Sequence, residues 1–207
     1  MNIIIDYGVG NLNSLKRACE EIDFPVVISN DIEVIKQAKS IILPGVGAFE
    51  AAMNELKSLS LVDMIKSKAK SGTPILGICL GMQLLYEFSE ENSGTNGLGL
   101  IQGQVKQIPD IVKVPHMGWN KLNFTKQDSF LKYVNEGEYV YFVHSFYVSS
   151  TNNELLAYSE YGVKIPAIIK SDNIYGMQFH PEKSAETGLN LLKAFKEMCL
   201  YESISSN

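Results

Sequence analysis

Four short stretches in the first half of the chain are apolar almost from end to end: "NIIID" (2–6), "PVVIS" (25–29), "SIILP" (40–44) and "PILGI" (74–78). A strand with one wet face alternates polar and apolar residues; a strand apolar throughout is buried on both faces, as in parallel sheets. The stretches between them have helical length and spacing. "NLNSLKRACEEI" (11–22) places Leu12, Leu15, Cys19 and Ile22 on one face, and "DIEVIKQA" (31–38) starts at Asp31, a good N-cap. "AFEAAMNELKSL" (48–59) and "LVDMIKSKAKSG" (61–72) follow, the latter closed by Gly72. This alternation predicts an α/β fold: an open, mostly parallel sheet covered by helices on both faces.

The second half reads differently. "GLGLIQGQV", "KLNF", "YVYFVHSFYV", "LLAYSEY", "PAIIKS" and "IYGMQF" are strand-like and punctuated by turns, which predicts added antiparallel strands. A last amphipathic helix spans 184–200, and the tail "YESISSN" reads as frayed. With no linker, repeat or low-complexity segment, the expectation is one domain over 1–207. Such a chain buries roughly 70% of its unfolded surface and needs no staples.

Composition narrows the classes. Lys+Arg 18 against Asp+Glu 23, with no basic cluster, speaks against nucleic acid as a partner. The N-terminus lacks a signal-peptide pattern and no stretch approaches the ~20 apolar residues of a membrane span, so no membrane association is expected. Cys19, Cys79 and Cys199 are odd in number and widely spaced, which fits a reducing, cytoplasmic setting. No CxxC, HExxH or paired-His spacing suggests a metal, and no cofactor motif is complete.

In "PILGICLGMQLL" a strand meets a helix at Cys79, with Gly77 before it and Gly81 after it. The helical reading puts Leu80, Leu84, Leu85 and Phe88 on one face. A residue at such a turn is pushed out at the carboxyl edge of the sheet, where open α/β sheets bind ligands. The pattern G-x-C-x-G fits a nucleophile elbow. The helix start favours thiolate, and the Leu80 N–H is free to stabilise an oxyanion. The other reading, a small buried core cysteine flanked by packing glycines, is equally open at this point. Cys19 and Cys199 lie on amphipathic helices and read as core.

A thiolate needs a base, and the base an orienting group. His180 is followed by Pro181 and Glu182; in extended backbone residues i and i+2 share a side, which sets imidazole beside carboxylate. His116 and His144 have no adjacent acid and read as hydrogen-bonding, substrate-contact or core residues. "LPGVGAFE" (43–50) is a second tight strand-to-helix turn, able to supply an oxyanion donor or to be an ordinary turn. "DYGVGNLNSL" (6–15) begins like a dinucleotide fingerprint but lacks its third glycine, so Gly8 to Ser14 read as a surface loop at the same sheet edge and a candidate contact surface.

"PGVGAF", "GICLGMQLL" and "HPEKS" resemble the signature segments of triad (class I) glutamine amidotransferases. More narrowly, "DYGVGNL", "PHMGWN" and "YFVHSFY" resemble the glutaminase-subunit family of imidazole glycerol phosphate synthase. The six segments run in order from Asp6 to Ser184. The resemblance implies a flavodoxin-like fold and glutamine hydrolysis through a Cys79 thioester, with His180 as acid and base and Glu182 orienting it. It implies oxyanion donors at Val46 and Leu80, and glutamine contacts from Gly47, Gln83, His144, Ser145 and Phe146. Phe146 stands where many relatives carry Tyr. The ammonia would pass to a separate (β/α)₈-barrel subunit that makes imidazole glycerol phosphate and an aminoimidazole carboxamide ribotide in histidine biosynthesis. Asn11, Met117, Trp119, Tyr141 and Lys183 would face that subunit. Phe142 and Phe146, as large apolar side chains, also read as candidates for the shared surface. An alternative is a related synthase with another acceptor, such as a sugar-amidating enzyme.

Two rival enzyme classes fit less well. α/β-Hydrolases order their triad nucleophile, acid, histidine, whereas here the order is Cys79, His180, Glu182. Papain-like proteases place the cysteine near the mature N-terminus. A non-catalytic binding module would not need the intact Cys–His–Glu set.

Overall fold

The structure, a computed structural model, describes residues 1–149 and 153–205, with side chains through 200. The first half alternates as its hydrophobic pattern requires: β1 (Asn2–Ile5), α1 (Leu12–Glu21), β2 (Val26–Ser29), α2 (Ile32–Lys36), β3 (Ser40–Leu43), α3 (Phe49–Ser58), α4 (Leu61–Lys70), β4 (Ile75–Ile78) and α5 (Leu80–Leu84). Asp31 caps α2 as expected, its carboxylate accepting the Glu33 N–H at 2.8 Å. The second half contributes β5 (Tyr86–Ser89), β6 (Thr95–Asn96), β7 (Ile101–Gln107), β8 (His116–Lys121), β9 (Asn123–Phe124), β10 (Tyr139–His144), β11 (Phe146–Ser149), β12 (Leu155–Tyr161), β13 (Val163–Ser171) and β14 (Ile174–Met177). The last helix, α6, spans Ala185–Ser205 and so runs into the segment read as a frayed tail; residues 206 and 207 lie outside the described residues.

The central sheet has eight strands in the order β2-β1-β3-β4-β14-β13-β12-β9. The first five are parallel, and β13, β12 and β9 extend the sheet antiparallel. Strand alternation splits the core in two. Ile4, Ile42 and Leu76 face Leu15 and Cys19 of α1 and Phe195 of α6. Ile3, Ile41 and Ile75 face Ile35 of α2, Phe49 of α3 and Ile65 of α4. Two small sheets, β10-β8 and β11-β7-β5-β6, pack beside the central one.

Two elements depart from the sequence reading. The helix after Cys79 stops at Leu84, and Phe88 lies on strand β5 rather than on that helix's apolar face. The carbonyls of Leu84, Leu85 and Tyr86 are taken by the N–H groups of Leu98, Leu100 and Gly99 at 2.8, 2.8 and 3.0 Å, so tertiary bonds replace further helical turns. "YVYFVHSFYV" is not one strand. It breaks at Ser145, with β10 pairing β8 and β11 pairing β7 in a different sheet. Phe142, expected at a strand edge, is fully buried and stacked on His116, while Met117 and Trp119 are exposed.

The strand order reverses between β1 and β3, the switch point at which such sheets bind ligands beyond the carboxyl ends of their strands. At that edge the chain is unusually close to itself. A Cβ added to Gly81 would lie 1.8 Å from the Leu43 carbonyl oxygen, and one added to Gly77 would lie 2.6 Å from the Gly81 carbonyl oxygen. Both atoms are backbone and cannot swing away. Gly81→Ala therefore costs about 3 kcal/mol or more, which lowers Tm by roughly 6–12 °C in a chain of this size. Gly137→Ala, at φ +89° with no atom within 4 Å of its added Cβ, carries only the left-handed strain of about 1–2 kcal/mol. Thermal melts of the two variants check this; equal losses would contradict the close approach.

Candidate active site

Cys79 sits between β4 and α5 with φ +54° and ψ −114°, a conformation that non-glycine residues adopt only where the surroundings enforce it. The enforcement is visible: the Cys79 N–H bonds the Met177 carbonyl at 2.7 Å, and its own carbonyl accepts from Met82 at 3.0 Å. Its side chain is nearly buried, with Sγ 3.9 Å from the Val143 carbonyl oxygen and 3.8 Å from Gln178 Nε2, which donates to it. The Leu80 N–H heads α5 and has no acceptor within the helix. With only five residues, α5 offers less dipole than the sequence reading assumed.

His180 reaches the same place from β14, the strand next to β4. Its Nδ1 lies 3.0 Å from Glu182 Oε1, and both side chains are almost fully buried. The route differs from the extended backbone anticipated. β14 ends at Met177, and Pro181–Lys183 form a single 3₁₀ turn with Pro181 at its start. That turn, not strand alternation, folds the carboxylate back to the ring. The His180 backbone is held on both sides: its N–H bonds the Tyr141 carbonyl at 3.1 Å and its carbonyl accepts from Ser184 Oγ at 2.6 Å. Gly188 lets α6 pass over Pro181, since a Cβ there would lie 2.0 Å from the Pro181 carbonyl oxygen. His180 Nε2 is buried and makes no protein hydrogen bond in this state. Burial works against the imidazolium, but the Cys79 sulfur nearby and the hydrogen-bonded Glu182 carboxylate outweigh it and raise the pKa to about 10.

A cavity of about 400 Å³ opens over Cys79, of the size that binds small molecules. It is lined by Val46, Gly47, Leu80, Gln83 and the His144–Ser145–Phe146 segment, together with Glu91, Pro115 and Val143. Seven candidates from the sequence thus share one pocket with the cysteine. Val46 and Gly47 contribute the loop after β3, and Gly47, at φ +99°, has open space around it. Gln83 Nε2 is already committed, donating to the Phe146 carbonyl at 2.8 Å and to Gln178 Oε1 at 3.1 Å. His144 Nδ1 bonds the same Phe146 carbonyl at 2.8 Å, so Nδ1 carries the proton and Nε2 accepts from His116 Nδ1 at 3.0 Å. Both rings are neutral: burial lowers His116 to about 4, and burial, with His116 and His180 adding, lowers His144 to about 3 against the favourable Phe146 bond. His144 thus has no ring nitrogen left for a ligand. Its bonds to His116 and to the Phe146 carbonyl hold the ring beside the turn at Ser145, a segment that lines the cavity.

The remaining candidates form a second group. Asn11 and Lys183 line a smaller cavity with His180, Glu182 and Val46, on the far side of the β3 loop. Asn11 also caps α1, accepting from the Ser14 N–H at 3.3 Å. Trp119 and Tyr141 meet edge to face at 6.0 Å between ring centroids, and the Lys183 ammonium lies 6.0 Å from the Tyr141 ring centre. Met117 and Trp119, 62% and 52% exposed, share this face of β8. Sequence reasoning missed Gln178, Ser184 and Glu91. Gln178 lies two residues before "HPEKS" and Ser184 ends it, both ordinary polar residues that only full burial marks. Glu91 lies in a turn far from any motif; its carboxylate caps α3 through the Phe49 N–H at 2.7 Å. Cys19 and Cys199 are buried core residues, and burial, with Glu182 and Glu20 adding, pushes Cys19 up to about 12.

The arrangement can present a thiolate to an electrophilic carbon, deliver a proton from His180 Nε2, and offer N–H groups to a developing oxyanion. The class-I glutamine amidotransferase family matches over residues 3–198. The chain is 53% identical to imidazole glycerol phosphate synthase subunit HisH of Oceanobacillus iheyensis, covering 96% of this chain and 99% of that protein. It is 50% identical to the same subunit of Lactococcus lactis, covering 94% and 97%. Among solved structures, a glutamine amidotransferase crystal structure superposes with a TM-score of 0.76 at 16% identity, covering 96% of this chain and 99% of that chain. The PurLQS structure from Thermotoga maritima gives 0.71 at 20%, covering 95% and 97%.

The raised His180 pKa sets a testable sign. Its folded value, about 10, lies above the ordinary 6.5. The stabilisation is therefore complete below about 6.5 and is lost as pH rises through about 10. Ring NMR of His180 should show an imidazolium throughout the neutral range. Cys79→Ala and Glu182→Gln should each lower the titration midpoint, because each removes a group that favours the charged ring. A midpoint near 6.5 that neither substitution moves would contradict the pairing.

Proposed function

The chain belongs to the class-I glutamine amidotransferases, and within them to the imidazole glycerol phosphate synthase subunit HisH; on that premise we propose that it hydrolyses glutamine and supplies the ammonia for histidine biosynthesis. The observation that carries the mechanism is the meeting of Cys79 and the His180–Glu182 pair at the ends of neighbouring strands, beside one ligand-sized cavity. The thiolate of Cys79 attacks the side-chain carboxamide carbon. The oxyanion of the tetrahedral intermediate takes the Leu80 N–H and the Val46 N–H of the "PGVG" loop. His180 protonates the departing amine, ammonia leaves, and a thioester remains. His180 then takes a proton from water, which attacks the thioester and releases glutamate and the thiol. Glu182 holds Nδ1–H and keeps Nε2 aimed at the reaction.

Glutamine lies in the cavity with its α-carboxylate and α-amino groups against Gln83, Gly47 and the backbone of His144–Phe146; Glu91, the one carboxylate among the lining residues, is placed to attract the ammonium group. A backbone contact at position 146 does not depend on the hydroxyl that Phe146 lacks.

As a subunit the chain works with a synthase subunit, which we read as a (β/α)₈ barrel docking on Asn11, Met117, Trp119, Tyr141 and Lys183. The high identity to HisH favours this partner over a sugar-amidating synthase. We further read residues 1–207 as one glutaminase domain working in the cytoplasm. Among the described residues no helix is long and apolar enough to cross a membrane.

Glutaminase turnover measured for the isolated subunit, then with the synthase subunit, then with its acceptor ligand added, tests the coupling. Turnover should rise at each step and vanish in Cys79→Ala under all three conditions. Undiminished turnover in the variant would remove Cys79 as nucleophile. Equal turnover in all three conditions would favour a free-standing hydrolase.

A further inference from the structure

Tyr7 belongs to the "DYGVGNL" segment but has no part in the site as described so far. It lies just beyond β1, next to β3 in the sheet, and is almost completely buried. Its phenolic O–H donates to the carbonyl of Pro44, the residue that opens the "PGVG" loop. The next residue leaves no slack: a Cβ added to Gly45 would lie 2.5 Å from the Tyr7 hydroxyl, 3.0 Å from the Gly81 backbone nitrogen and 3.0 Å from Leu80 Cβ. The Pro44–Gly45 peptide is therefore clamped between the Tyr7 hydroxyl and the first turn of α5, where Leu80 supplies one oxyanion donor. Beyond this clamp the loop opens. Val46 is 44% exposed, and a Cβ added to Gly47 would meet no atom within 4 Å.

We propose that Tyr7 is a positioning residue for the oxyanion hole: its hydroxyl fixes the Pro44 carbonyl and so sets where the Val46 N–H stands relative to the Leu80 N–H. The proposal rests on the reading of Cys79 as nucleophile and of those two N–H groups as donors. The phenol suits the task as a permanent donor, since burial, with Cys79 adding, raises its pKa and keeps it protonated. Without the hydroxyl, the Pro44 carbonyl becomes a buried acceptor with no partner, and the peptide is free to turn to find one. Ring packing survives in phenylalanine, so the fold keeps its core contact.

Tyr7→Phe, measured in the complex with the synthase subunit and its acceptor ligand, separates positioning from general support. Glutamine hydrolysis passes through an oxyanion, whereas alkylation of Cys79 by iodoacetamide is a direct displacement that forms none. The variant should lose kcat by about tenfold, short of the ~10²–10³ for deleting a donor outright. KM for glutamine and the rate of iodoacetamide alkylation should stay at the unsubstituted values. An unchanged kcat overturns the proposal. So does a parallel fall in hydrolysis and alkylation, which would make Tyr7 a general support of the site, or a change in KM alone, which would make it a binding residue. Failure of the underlying reading would look different: alkylating Cys79 in the unsubstituted complex would then leave turnover intact.

Discussion

The close approach of the Leu43 carbonyl to the first turn of α5 is the constraint on which the site depends. The β3 loop and the elbow can touch only because residue 81 lacks a side chain, since any Cβ there would push the Leu43 carbonyl away; residue 77 lacks one where α5 folds back over β4. That contact brings the "PGVG" loop to the cavity over Cys79, which Val46 and Leu80 line together. The strained backbone of Cys79 is held by other partners. The Met177 carbonyl holds its N–H from one side and the Met82 N–H holds its carbonyl from the other, so the thiol is presented at the sheet edge at a strain of roughly 1–3 kcal/mol.

The site has two sides. The larger cavity lies on the Gln83 and Ser145 side of the β3 loop, while His180, Glu182, Asn11 and Lys183 border the smaller cavity on the other. Val46 borders both. In the proposed reaction this puts the base that releases ammonia between the substrate and the aromatic face of Trp119 and Tyr141. A partner seated on that face would lie next to the point of release, and the loop between the two cavities is the element through which it would act on the oxyanion.

Much of this was legible in the sequence, for physical reasons. Short, uniformly apolar runs such as "SIILP", bounded by turn residues, favour doubly covered strands, and Asp31 before an apolar stripe favours capping. Pairing partners were not legible. Nothing in "YVYFVHSFYV" reveals that its halves join different sheets at Ser145, because strand pairing is a non-local choice. Nor does the stripe Leu80, Leu84, Leu85 and Phe88 reveal that residues 98–100 will take the helix's carbonyls. The His180–Glu182 contact was anticipated from spacing, but a 3₁₀ turn produces it. Tyr7 and Ser184 lie within the recognised segments but stand out there as no more than ordinary residues, and Gln178 and Glu91 lie outside them; each makes a hydrogen bond to a residue distant in the chain, which only the folded structure brings near.

The central claim is that Cys79, alone of the three cysteines, is a nucleophile tuned for glutamine. Treating the complex with a glutamine-derived diazo-ketone and locating the adduct by mass spectrometry tests it most directly. The account predicts one covalent adduct on Cys79, prevented by excess glutamine, with Cys19 and Cys199 unmodified in the folded core. An adduct on either core cysteine, or labelling of Cys79 that glutamine does not prevent, would contradict it.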